Sequence, residues 1–195
     1  MEGSEIKDKN EIRKMMKLMR CNLTRQQVEE KSGIIFNKIM TDSIYINADT
    51  VMAYVDFNNE VSTREFIQNA IKEGKKVALP LISPDRSHIS ARIISSLETD
   101  LVPGVFGILE PIPEKTKPVP VDNIDLIIVP GLAFDVKKYR LGYGKGYYDH
   151  FLASGLRHKC ARIGVAYDFQ VVEELPVESH DVPLDMIFTE LRNIV

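Results

Sequence analysis

The chain has 195 residues, 44% of them hydrophobic and 27% charged, with a net charge of −3. One core can grow at this length without splitting, so a single domain over 1–195 is expected, and the composition excludes general disorder. The slightly negative balance removes any global attraction to nucleic acid or to an anionic membrane, so a site for a polyanion must be a local basic cluster.

The N-terminal MEGSEIKDKNEIRK is charged from the start and lacks an apolar core, unlike a secretory signal. No uninterrupted apolar run approaches the roughly 20 residues that cross a bilayer as a helix. Cytoplasm is the expected location. Cys21 and Cys160 stand far apart and in no CxxC pair, which predicts two buried free thiols rather than a disulfide framework.

A helix is predicted over 6–21, with Ile12, Met15, Met16, Met19 and Leu23 forming its apolar stripe. Lys9, Arg13, Lys17 and Arg20 lie on another face, which suits either solvent or an anion site. A second helix begins at Thr24, where Thr24 and Gln27 fit a capping box, and it buries Val28, Ile35 and Ile39. TVMAYVDF (50–57) predicts a buried strand. Ser62 and Glu65 predict another capping box, opening a helix that buries Phe66, Ile67, Ala70 and Ile71 and stops at Gly74. VALPLI (77–82) predicts the next strand, so strand, helix and strand form a right-handed parallel crossover.

Residues 88–95 predict a strand of mixed polarity, placed at a sheet edge. Five prolines between 103 and 120 predict an extended surface connection. IDLIIVP (124–130) is apolar on both faces and is expected to be the central strand. A glycine-rich loop follows, then a helix over 146–155 and strands at 161–167 and 186–190. The order of elements predicts an α/β fold: a three-layer α/β/α sandwich around a mostly parallel, Rossmann-like sheet.

PGLAFDVKKYRLGYGKGYYDH (130–150) follows the central strand directly, where parallel sheets bind their ligands. Lys137, Lys138, Arg140 and Lys145 lie between Asp135 and Asp149 with no acid among them. Gly142, Gly144 and Gly146 alternate around Lys145, and a backbone without Cβ atoms can turn its N–H groups onto a phosphate. The pattern is neither a P-loop nor a dinucleotide fingerprint. By itself it suits an anion site or a flexible turn. Tyr147 and Tyr148 suit helix packing or a flat wall for an aromatic ligand. His88, His150, His158 and His180 show no zinc-binding spacing; His150 could orient Asp149 but better suits a polar surface position.

The string RLGYGKGYYD resembles the signature loop of the 5-formyltetrahydrofolate cyclo-ligases. KNEIR (9–13), NEVST (59–63), VPGVFGILEP (102–111) and ESHDVPLD (178–185) resemble further stretches of that family in the same order. The resemblance implies that 5-formyltetrahydrofolate and ATP become 5,10-methenyltetrahydrofolate, ADP and phosphate. It implies ATP contacts from Lys9, Asn10, Glu11, Ile12 and Arg13, and from Arg140, Leu141, Gly142, Tyr143, Gly144, Lys145, Gly146, Tyr147 and Tyr148. Folate contacts would come from Arg13, Val55, Glu60, Tyr143, Gly144, Lys145, Gly146 and Tyr147. Mg²⁺ would sit on Asp149 and Asp181, with Asp185 competing for the second place. Lys145 and Arg140 would stabilise the transferring phosphoryl group. Position 143 is tyrosine where some family members carry arginine, which removes one phosphate contact. Lys17 and Arg20 remain assigned to solvent.

The implied partners are small molecules only, with no nucleic acid and no membrane, and the chain is expected to be a monomer. Two other readings stay open from the residues alone. One is a sugar-phosphate isomerase or acyl-CoA-utilising enzyme on a comparable fold, with no need for ATP. The other is a nucleotide-sensing module that binds ATP without consuming it.

Overall fold

The computed structural model describes residues 8–153, 160–178 and 181–195. His158, His180 and the last residues of the 146–155 helix lie outside them. The chain opens with α1 (Lys9–Cys21), α2 (Arg25–Met40) and α3 (Ser43–Ile46). The Asp8 side chain caps α1 by accepting from Asn10 N–H, and the Thr24–Gln27 capping box forms as the sequence predicts. Then come β1 (Thr50–Met52), α4 (Arg64–Lys72), β2 (Lys76–Ile82), β3 (Ile89–Ile94), β4 (Leu101–Pro103), β5 (Leu109–Pro111) and β6 (Lys117–Val119). The last part contains β7 (Leu126–Val129), β8 (Ala133–Asp135), β9 (Arg140–Leu141), α5 (Tyr147–Ala153), β10 (Ala161–Val165), β11 (Val171–Val172), β12 (Met186–Phe188) and β13 (Asn193–Ile194).

The main sheet has eight strands in the order β13-β12-β10-β7-β1-β2-β3-β6. The five from β12 to β2 are parallel, and antiparallel strands finish both sides. As expected, β7 is central and wholly buried. One face of the sheet packs Val51, Val77, Leu126 and Ile163 against α2, α3 and α4 through Ile35, Phe36, Tyr45 and Phe66. The other packs Met52, Ala78, Ile127 and Val129 against Phe151 and Leu152 of α5. This is the three-layer α/β arrangement. No helix among the described residues is long and apolar enough to cross a membrane.

Several local expectations are corrected. The strand from Thr50 ends at Met52, and the buried residues Ala53–Val55 continue past it, Ala53 N–H still donating to Ala78 C=O. The Ser62–Glu65 capping box does not form. Instead the Asp56 carboxylate accepts from Thr63 N–H, while the Thr63 hydroxyl donates to Tyr54 C=O. Gly74 ends α4 with φ of 83°, as predicted. The edge strand is β6, not β3, which is paired on both sides. An edge tolerates Pro118, whose missing N–H costs no ladder bond there. Arg92 of β3 fastens the proline-rich connection by donating to the Thr116 hydroxyl and to Pro113 C=O. Both cysteines are free, but only Cys160 is buried, its thiol pushed up to about 12 chiefly by burial; Cys21 is exposed.

The sheet topology places the site. After β1 the chain crosses through α4 to β2 on one side, and after β7 it crosses through α5 to β10 on the other. Adjacent parallel strands whose connections diverge leave a crevice between their carboxyl ends. Here the crevice lies between segment 53–63 and segment 130–146.

Candidate active site

A cavity of about 1350 Å³ opens at that switch point. Its lining joins α1, the β1 exit, β9 with the glycine loop, the start of α5, and the segment around Asp181. Ligand pockets run to about 300–1,000 Å³, so this one has room for two small molecules. Lys9, Asn10, Arg13, Val55, Glu60, every residue from Arg140 to Asp149, and Asp181 line it. Of the expected site residues Glu11, Ile12 and the alternative metal ligand Asp185 do not. Glu11 is exposed, and Ile12 packs with Met16 onto Leu132, Ala133 and Leu141, seating α1 on the smaller sheet β11-β8-β9.

The glycine loop is launched by a rigid hairpin. Buried Asp135 accepts from Lys137, Tyr139 and Leu175 N–H, which fixes the β8–β9 turn and brings Arg140 inward. Arg140 is 8% exposed and donates to Asp149 Oδ1 at 2.7 Å, with its guanidinium 5.6 Å from the Tyr148 ring. Arg140 Nε and the Tyr148 hydroxyl are buried without a hydrogen-bond partner among the described residues. Gly144 and Gly146 have φ of 92° and 71°. Arg13 straps the loop, its Nε donating to Gly142 C=O at 3.0 Å. A Cβ on Gly144 would sit 3.4 Å from Arg13 Nη2. Gly144→Ala is therefore expected to lower stability by about 1–2 kcal/mol from left-handed strain alone, read as a lower urea midpoint with unchanged slope. Lys145 is exposed on the loop.

Glu60 faces the loop from the β1 side. Asn58 and Asn59 take φ of 48° and 54°, a left-handed turn that asparagine tolerates. The Asn59 amide then donates to Arg20 C=O and Leu23 C=O, tying the turn to the end of α1. Glu60 is 4% exposed; its Oε1 accepts from the Tyr143 hydroxyl at 2.8 Å and its Oε2 from Phe57 N–H at 3.3 Å. Burial pushes its carboxyl up to about 7 against the opposing pull of Arg20 and these donors. A raised native pKa means the fold holds the proton more tightly than the open chain does. Glu60's contribution to stability is full below 4.5 and is lost as pH rises through about 7. Glu60→Gln is expected to remove that slope, worth about 3 kcal/mol at most, in unfolding measured across this range.

Arg20 corrects the solvent assignment most sharply. It is 1% exposed and donates from Nη2 to Tyr143 Oη at 2.7 Å and to Asn58 C=O at 2.9 Å, with Nη1 3.6 Å from Glu60 Oε1. Lys17 is exposed, but its ammonium lies 5.5 Å from the Tyr143 ring centroid. Phe57 stacks at a tilt on the same ring, 5.3 Å between centroids. Arg20, Lys17 and Phe57 were not among the expected site residues. The only signal for the two cations was their continuation of the Lys9–Arg13 stripe.

Asp149 and Asp181 both line the cavity. Asp149 accepts from Arg140, while Asp181 Oδ2 accepts from Lys9 Nζ at 3.3 Å and from Glu178 N–H at 2.8 Å. No group of three or more His, Cys, Asp or Glu side chains poised for a metal occurs among the described residues. Two carboxylates fit a hard ion that draws most of its ligands from phosphate and water, as Mg²⁺ does. Asp185 does not line the cavity; its carboxylate takes three bonds from Arg162.

These features define an α/β enzyme with a small-molecule site at the carboxyl edge of its sheet. The 5-formyltetrahydrofolate cyclo-ligase family matches residues 5–190, and the chain belongs to that family. The 5-formyltetrahydrofolate cyclo-ligase of Escherichia coli (strain K12) is 32% identical over 175 residues, covering 90% of this chain and 96% of the relative. That of Haemophilus influenzae is 31% identical, covering 90% and 94%. The solution structure of Aquifex aeolicus 5,10-methenyltetrahydrofolate synthetase superposes with a TM-score of 0.83 at 34% identity, covering 95% of this chain and 91% of that one.

Proposed function

We propose that this chain, as one domain over 1–195, converts 5-formyltetrahydrofolate to 5,10-methenyltetrahydrofolate at the expense of ATP, with Mg²⁺ bound. The family's reaction is that conversion; the use of ATP and the residue roles are the proposal. The observation that carries it is the pairing, in one cavity large enough for two ligands, of a cationic glycine loop with a buried carboxylate. A phosphate-bearing ligand suits the first wall and a ring rich in N–H donors the second.

A formyl carbon bonded to nitrogen is a poor electrophile, and its oxygen is a poor leaving group. In the proposed sequence the formyl oxygen attacks the γ-phosphorus and ADP departs. N10 then attacks the formyl carbon and loses its proton, and phosphate leaves as the N5–C–N10 amidinium forms. No enzyme nucleophile is needed. The work of the chain is positioning and charge stabilisation. Lys145 and Arg140 lie along the transferring phosphoryl group, and the N–H groups of 142–146 cradle the phosphates with Lys9 and Arg13 beside them. Arg13 also faces the folate. Glu60 accepts from the pterin N–H groups, and Val55 and Tyr147 enclose that ring. Mg²⁺, when bound by Asp149 and Asp181, neutralises phosphate charge.

Release of ADP and phosphate tests the coupling. ADP should form in step with methenyl product and only when folate is present. ADP formed at the same rate without folate, or product formed without ATP, would contradict the proposal.

A further inference from the structure

Arg20 ends α1 on the face that carries Lys9, Arg13 and Lys17, and it is among the largest fully buried side chains. An arginine almost never leaves water unpaired, and a hydrophobic residue of similar volume in such a place is often more stabilising. Its interactions are all directed at the wall of the cavity: Asn58 C=O, the Tyr143 hydroxyl and the Glu60 carboxylate. Nε and Nη1 have no hydrogen-bond partner among the described residues. The fold alone therefore does not account for this charge. The guanidinium joins three elements that the sheet does not connect: α1, the turn after β1, and the glycine loop.

We propose that Arg20 is a positioning residue for the folate half of the site, holding Glu60 and Tyr143 in the pose that faces the cavity. The proposal rests on the folate reading above and adds to it the group that sets the carboxylate's geometry. The groups around Glu60 make the arrangement testable by pH. Arg20 of α1 supplies the opposing positive charge, and Asp56 of its own segment works against ionisation. Tyr143 of the loop donates to its carboxylate, and Tyr167 donates to its backbone carbonyl. Tyr54 after β1 and Tyr148 of α5 are buried phenols nearby, held neutral by burial. Without Arg20 only the Tyr143 and Phe57 donors oppose burial and Asp56, so the carboxylate takes up its proton at higher pH.

The test is the Michaelis constant for 5-formyltetrahydrofolate and that for ATP, across the neutral pH range, in the wild type, Arg20→Met and Arg20→Lys. Arg20→Met is expected to raise the folate constant about tenfold and to leave the ATP constant within about twofold. Its acid limb for folate should move up by about one pH unit. Arg20→Lys keeps the charge and should restore the limb. If Arg20→Met does not fold, Tyr143→Phe removes the hydroxyl that Arg20 grips and should give the same folate-selective rise. An unmoved folate constant and limb, or equal losses for both substrates without rescue by lysine, overturns the proposal. Absence of methenyl product from the wild type would overturn the folate reading, and the proposal with it; product from the wild type with an unmoved variant overturns the proposal alone.

Discussion

Replacing Lys145 with alanine is expected to cut turnover by about 10³-fold while leaving the thermal unfolding midpoint unchanged. Lys145 is exposed on the loop between Gly144 and Gly146, so its removal opens no cavity in the core. Its value lies in the charge that develops when a phosphoryl group moves, and a cation positioned for that charge acts mostly on the transition state. The loss should therefore appear in kcat more than in the constant for ATP. Lys145→Arg, which keeps the charge on a longer fork, should retain part of the rate. Single-turnover measurements with saturating folate read the difference directly. Full activity in Lys145→Ala would remove the loop from the chemistry.

Arg140→Met is expected to be as damaging to turnover and, unlike Lys145→Ala, to cost stability. Arg140 is buried at the base of the loop and bonded to Asp149. Methionine fills much of its volume but leaves Asp149 without that donor, a loss of about 1.5–3 kcal/mol for a charged hydrogen bond. Arg140→Lys separates the two effects. Lysine keeps a positive charge near Asp149 but cannot offer the same planar fork, so stability should largely recover and turnover should not. Chemical denaturation together with the product assay on both variants checks this. Equal recovery of both properties in the lysine variant would assign Arg140 to folding alone.

The fold was legible where the signal was local. The Thr24–Gln27 capping box, the stop at Gly74 and the wholly apolar β7 each depend on neighbours within a few residues, and each forms as expected. The glycine loop was plain from its glycines alternating around a lysine, whereas the β8–β9 hairpin between it and the central strand was not expected. Ser62 and Glu65 failed because distant partners hold both Ser62 groups that the box needs, its N–H donating to the Ser32 hydroxyl and its own hydroxyl to Asp56. β3 was placed at an edge because its mixed polarity is the same whether a partner strand follows or not. That partner, β6, hides in a proline-rich stretch that does not read as strand. Arg20 was illegible for the same kind of reason. A charged helical face looks like a solvated one until the turn at 58–60 and Tyr143, from residues 38 and 123 positions away, close over it.

The most direct test of the whole account is the ultraviolet absorbance of the purified protein mixed with 5-formyltetrahydrofolate, Mg²⁺ and ATP. The methenyl product absorbs where the substrate does not. That band should grow only when ATP is present and be lost when the metal is chelated. A flat trace from folded protein that still binds ATP would contradict it and point to a module that senses nucleotide without consuming it.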